Sequence, residues 1–163
     1  RMVARLAIIP SMNSATREAE PTLYVVATPI GNLEDVTLRA LRVMGEVDVL
    51  ACEDTRRTPR ILERHGVRRP ATLLSCHEHN EERVAERILG FLEAGQSVGL
   101  CTNAGYPGVS DPGYRVVSAS AARGFRIEVL PGATHTDSAA IRGFVTLPVR
   151  VRVGPTTRTL PSQ

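Results

Sequence analysis

Between residues 22 and 133 the chain alternates short apolar runs with amphipathic stretches. Leu23–Thr28 is rich in β-branched and aromatic side chains and predicts a strand. Val36–Met44 reads as a helix stopped by Gly45. Val47–Cys52 is a second strand, and Thr58–Arg64 a short helix with Pro59 in its tolerant first turn and Gly66 at its end. Ala71–Cys76 is a third strand. Glu81–Glu93 has the strongest helical period, with Val84, Ile88 and Leu92 four residues apart and Gly95 closing it. Ser97–Thr102 is a fourth strand. Asp111 is placed to cap a helix that has Pro112 at its first position and runs to about Ala122, and Arg126–Leu130 is a fifth strand.

Strands alternating with crossover helices predict an α/β fold, a mostly parallel sheet of about five strands with flanking helices. Ligands in such sheets bind beyond the carboxyl ends of the strands. Those ends carry Thr28-Pro-Ile-Gly-Asn32, Cys52-Glu-Asp-Thr-Arg56, His77-Glu-His-Asn80, Thr102–Gly108 and Pro131-Gly-Ala133. The domain is expected over residues 22–137. Residues 1–21 read as a disordered leader in which Met12 is a plausible start. Residues 138–163 read as a divergent, partly disordered tail without acidic residues, where Val149, Val151 and Val153 alternate with arginines as in an edge strand.

Composition changes this picture little. Forty-two per cent hydrophobic residues suffice for a core, and a net charge of +3 permits an anionic partner without requiring one. Cys52, Cys76 and Cys101, odd in number and widely spaced, read as buried free thiols in a reducing, cytoplasmic compartment. No apolar run reaches the ~20 residues of a membrane span.

The loops bring in chemistry. Thr28–Asn32 is neither a dinucleotide fingerprint nor a P-loop, and by itself is either an ordinary strand-to-helix turn or a close backbone approach to a ligand at Gly31. Thr102–Gly113, with three glycines and two prolines, is either a long surface loop or a seat for a flat ligand, with Ser110 and Asp111 adding polar contacts. His77 and His79 lack the further ligands of a zinc site, so no metal is expected. Glu53, Asp54, Arg56 and Arg57 form either a solvated helix start or a catalytic and RNA-contacting cluster.

Leu23-Tyr-Val-Val-Ala-Thr-Pro-Ile-Gly-Asn-Leu-Glu-Asp-Val-Thr-Leu-Arg-Ala40 resembles the opening of the ribosomal RNA small-subunit methyltransferase I family, ribose 2′-O-methyltransferases within the tetrapyrrole methylase superfamily. Glu53-Asp-Thr-Arg56, His77-Glu-His-Asn80, Asn103-Ala-Gly105 and Ser110-Asp-Pro-Gly113 resemble its later motifs in order. The resemblance implies an S-adenosylmethionine site built from Pro29, Ile30, Gly31, Asn32, Asn103, Ala104, Gly105, Ser110, Asp111, Pro131 and Gly132. It implies methylation of a cytidine ribose in small-subunit (16S) ribosomal RNA. From their rim positions Glu53, Asp54 and His79 are candidate bases for that reaction, and Arg56 and Arg57 are candidate phosphate contacts. The resemblance also implies a homodimer and a second α/β domain closing over the cofactor. That second domain is not recognisable here, so the chain is expected to be an impaired enzyme.

The sequence departs from the family's pattern at Asn103, where aspartate is usual, at Tyr106, where threonine is usual, and after Gly132. Two other readings stand beside the first. One is a non-catalytic fragment binding cofactor or RNA weakly; the other is a small-molecule methylase acting on a tetrapyrrole precursor.

Overall fold

A computed structural model describes residues 20–108 and 113–134. Nine elements alternate along them: β1 (Thr22–Val26), α1 (Leu38–Glu46), β2 (Val49–Cys52), α2 (Thr58–Arg64), β3 (Thr72–Ser75), α3 (Glu81–Glu93), β4 (Val98–Cys101), α4 (Tyr114–Ala122) and β5 (Arg126–Leu130). The strands form one parallel sheet in the order β3-β2-β4-β1-β5. The predicted α/β class and strand count therefore hold.

The order decides which face each helix covers. The chain first moves from β1 to β2 to β3, toward one edge, and then returns through β4 to β5. Right-handed crossovers in opposite directions put the helices on opposite faces. The core divides accordingly. Leu41, Met44, Ile61 and Leu62 of α1 and α2 pack with Val26, Leu50, Cys52 and Cys101. Val84, Ile88, Leu92 and Val116 of α3 and α4 pack with Leu23, Val49, Leu74 and Leu100. Neighbouring residues of β2 thus serve different cores, as the two-residue period of a strand requires. The inner strands β2 and β4 are buried at every position, so their sequences read as unbroken apolar runs. In the edge strand β5 only Leu130 is buried.

Several boundaries differ from expectation: β1 ends at Val26 rather than Thr28, β2 begins at Val49 rather than Val47, β3 and β4 are each a residue shorter at both ends, α4 begins at Tyr114 rather than Pro112, and both ends of α1 move. Gly45 does not stop α1, which runs on to Glu46 and ends where Val47 turns extended. Its lack of a side chain serves packing: a Cβ there would lie 2.7 Å from Val67 Cγ1 and 3.3 Å from the Arg68 carbonyl. The same helix begins after Thr37, whose Oγ1 accepts the Ala40 N–H at 3.0 Å, rather than at Val36. Helix α3 has the predicted ends, with the Gln96 N–H donating back to the Phe91 carbonyl across Gly95 at φ 82°. The proposed cap and first position of α4, Asp111 and Pro112, lie outside the described residues, as do Ser110, residues 1–19 and everything from residue 135, including the edge-strand reading at Val149–Val153.

Candidate cofactor site at the carboxyl rim

Strands β1 and β4 are neighbours, yet their following helices leave to opposite faces. A crevice opens at such a switch point, and ligands of parallel sheets bind there. The two loops are tied together: Thr28 and Gly105 exchange N–H···O bonds of 3.0 Å in both directions. Beneath them the buried Thr28 hydroxyl donates to the Thr102 carbonyl at 2.9 Å. Gly105 adopts φ 77°, a conformation in which a side chain would be strained.

The turn after β5 joins this assembly. Tyr106 donates its hydroxyl to the Leu130 carbonyl at 2.7 Å. Because β1 lies between β4 and β5, the phenol reaches across the end of β1. Burial pushes the Tyr106 hydroxyl pKa up. Gly132 is pressed against β1, and a Cβ there would fall 2.6 Å from Ala27 Cβ. The three segments predicted to hold the cofactor are therefore in contact.

Their residues divide into supports and open positions. Pro29 and Gly105 are buried; Ile30, Asn103 and Ala104 are half-buried; Gly31, Asn32, Pro131 and Gly132 are exposed. A Cβ on Gly31 would meet nothing within 4 Å, so the space before the first loop is open. Asn103 Oδ1 is buried and has no hydrogen-bond partner among the described residues. An unpaired buried acceptor costs free energy unless a donor fills the place. Open space beside small residues, together with a waiting acceptor, fits a ligand that carries hydroxyl or ammonium donors. Ser110 and Asp111 lie outside the described residues.

The other half of the rim is built from side chains. Glu53 Oε2 accepts the Asn103 N–H at 3.1 Å, which joins the β2 loop to the β4 loop. Asp54 accepts from the Arg56 backbone N–H at 2.8 Å and its Nε at 3.2 Å. Those bonds hold the Asp54 carboxyl below the usual carboxylate range. Arg56 and Arg57 are exposed at the start of α2. His79 is exposed, and its ring stands edge-on to His77 with centroids 6.0 Å apart. Among the described residues no three His, Cys, Asp or Glu side chains gather as a metal site would require.

Sequence reasoning missed Glu81 and Asn80 as organisers. Glu81 Oε1, buried at the start of α3, accepts the Gly113 and Arg115 N–H groups, both at 2.8 Å, and so caps α4 from another helix. Asn80 accepts from the His77 N–H at 2.9 Å and donates to the Ser75 carbonyl at 3.0 Å, which holds the β3 loop closed. Asparagine before a helix was a visible signal for a local bond; a cap reaching across 32 residues had none.

A profile of the tetrapyrrole (corrin/porphyrin) methylases matches residues 22–151. The chain belongs to that family. It is also similar to the ribosomal RNA small subunit methyltransferase I of Mesorhizobium japonicum, at 49% identity over 71% of this chain and 39% of that protein. The protein of the same name from Halalkalibacterium halodurans is 43% identical over 77% of this chain and 43% of its own length. The resemblance read from the motifs is thus borne out, and the chain spans less than half the length of either relative. Among solved structures it is similar to uroporphyrin III C-methyl transferase from Thermus thermophilus, with a TM-score of 0.55 and 25% identity over 69% of this chain and 49% of that one. Among the described residues no helix is long and apolar enough to cross a membrane.

Proposed function

We propose that this chain forms the cofactor-binding part of an S-adenosylmethionine-dependent methyltransferase that modifies the 2′-hydroxyl of a cytidine ribose in small-subunit ribosomal RNA. The observation that carries the reading is the pair of loops joined through Thr28 and Gly105, with open space at Gly31 and the unpartnered Asn103 Oδ1 beside them. Pro29–Asn32, Asn103–Gly105, Ser110, Asp111 and Pro131-Gly132 hold the cofactor. When bound, it supplies an electrophilic methyl group on a sulfonium. The protein's task is to hold donor and hydroxyl in line, which is worth several powers of ten in rate. Glu53 is the favoured acceptor of the hydroxyl proton, since it touches the β4 loop and one of its oxygens is not used there. Asp54 is held ionised by Arg56 and is the weaker base; His79 lies farther along the rim. Arg56 and Arg57 meet RNA phosphates. The reading carries with it a cytoplasmic location and a homodimer, the latter checked by light scattering.

A second reading, a unit that binds cofactor or RNA without useful turnover, is favoured by the exposure of Gly31, Asn32, Pro131 and Gly132. A rim this open leaves water at the reacting centre and fixes the ribose poorly. Tritiated methyl transfer to unmethylated small ribosomal subunits separates the two, with a full-length relative as control. We expect this 163-residue chain alone to be more than about tenfold slower than the control, a barrier difference above ~1.4 kcal/mol. No transfer above background, with the cofactor still binding, selects the second reading. Transfer to a tetrapyrrole precursor in place of RNA selects the small-molecule methylase, the activity named for the structural neighbour from Thermus thermophilus.

A further inference from the structure

All 20 basic residues of the chain are arginines, and six of them fall within residues 56–69, accompanied by the single acid Glu63. All six are exposed. Two are ion-paired: Arg56 with Asp54, whose carboxylate also feels the charge of Arg57, and Arg64, which lies 3.8 Å from Glu34. Arg57, Arg60, Arg68 and Arg69 have no ion pair with any described residue. Elsewhere among the described residues most arginines are matched, as Arg123 is with Glu86 and Glu93, and Arg126 with Glu20 and Glu128, while Arg83 and Arg87 on α3 have no ion pair.

The four lie on α2 and on the segment that follows it. Arg57 occupies the N-cap position of α2 without a side-chain cap bond, and Arg60 follows three residues later on the helix face opposite the buried Thr58, Ile61 and Leu62. Arg68 and Arg69 come after the helix has ended, just before β3. Arg69 shares a shallow depression with Pro59, Glu63 and Val67, so it stands beside the exposed flank of α2. The ridge therefore starts at the carboxyl rim, next to Glu53, and descends along α2, whose seven residues rise about 10 Å. Unmatched guanidinium groups do little for stability, since a charge in water needs no partner and like charges repel. They fit a polyanion whose phosphates repeat along a chain, and guanidinium forks bind phosphate in two-pronged fashion.

We propose that Arg57, Arg60, Arg68 and Arg69 form a docking ridge for the phosphate backbone of RNA, leading the strand to the rim. The proposal rests on the RNA reading above and extends its surface beyond Arg56 and Arg57 to a flank remote from the cofactor loops.

The test is fluorescence anisotropy of the full chain with labelled fragments of unmethylated small-subunit ribosomal RNA, between 50 and 200 mM salt. The comparison is between the unaltered chain, a variant with all four arginines changed to glutamine, and an Arg123→Gln, Arg126→Gln control. Each lost phosphate contact on a single strand lowers the slope of log affinity against log salt by about 0.7, so the four-fold variant should lose about 3. The control should lose less than 1 and the melting temperature should not move, since all four side chains are exposed. A slope unchanged within 1, or an equal loss in the control, overturns the ridge. Displacement of the RNA by polyglutamate as readily as by unlabelled RNA also overturns it, in favour of an acidic protein partner. Methyl transfer to RNA that survives in the four-fold variant sinks the ridge and leaves the methyltransferase reading standing. RNA binding that needs the four arginines in a chain that binds no cofactor does the reverse.

Discussion

The two halves of the carboxyl rim are held in different ways. At the ends of β1, β4 and β5 the loops are joined by main-chain groups and small residues: Thr28 to Gly105, Gly132 against Ala27, and the Tyr106 hydroxyl on a carbonyl. At the ends of β2 and β3 they are held by side chains: Glu53 on Asn103, Asp54 on Arg56, and Asn80 across its own loop. Backbone joining leaves few side chains in the crevice, so space remains for a ligand. Side-chain joining leaves charged groups of both signs at the surface. Under the proposed function the first half takes the cofactor and the second the RNA.

Substitutions should distinguish the halves, and the largest effect is expected at Gly132. Gly132→Val forces a branched side chain into the place of Ala27 Cβ, and overpacking of this kind costs about 1–3 kcal/mol. Thermal unfolding should show a clear loss, and cofactor affinity measured by calorimetry should fall with it. A normal melting temperature would mean that the β5 turn is not packed on β1.

Glu81→Ala comes next. It removes the acceptor of two N–H groups at the start of α4, that of Gly113 buried and that of Arg115 part-buried, and an unsatisfied buried donor costs about 1–3 kcal/mol. Glu81→Gln keeps an amide oxygen there and should recover most of the loss in chemical denaturation. Equal damage from both variants would show that charge, not the acceptor, is what α4 needs.

Gly31→Val should behave oppositely to Gly132→Val. Nothing lies within 4 Å of its Cβ position, so stability should hold. Affinity for S-adenosylmethionine should drop tenfold or more, about 1.4 kcal/mol, because the side chain stands in the ligand's approach. Unchanged affinity in a calorimetric titration would remove Gly31 from the site.

The smallest effect expected near neutral pH is at Cys76, beneath the side-chain-held half. Burial pushes its thiol pKa up to about 12, from an ordinary value of 9.0. The unfolded chain therefore ionises this thiol first. Its contribution to stability is complete below pH 9 and is lost as pH rises from there toward 12. Cys76→Ala should make stability fall about one proton's worth less steeply with pH across that window. A slope identical in both proteins would place the thiol in water.

Much of the fold was legible because it rests on local patterns. The four-residue spacing of Val84, Ile88 and Leu92 has one helical solution, and Gly95 ends that helix in the only way a left-handed residue allows. The apolar run at Val49–Cys52 had to be a covered strand. Gly45 shows the limit. A glycine at a helix end looks like a stop, but this one answers to Val67, which is distant in sequence. The same limit applies to the candidate site. The loops were identifiable as unusual, but composition could not say that Glu53 is engaged by Asn103, or that Asp54 is neutralised by Arg56.

The sequence by itself determined the alternation of strands and helices, the parallel class that follows from it, and the five loops that must share one rim. Each depends on periodicity and turn chemistry within about a dozen residues. Only the tertiary structure decided the strand order β3-β2-β4-β1-β5, and with it which loops are neighbours. That order sets Thr28 beside Gly105, brings Tyr106 across β1, and carries Glu81 to the first turn of α4. Such contacts join residues 24 to 77 positions apart, and the distance between them is set by how the two cores pack rather than by any local preference of the chain.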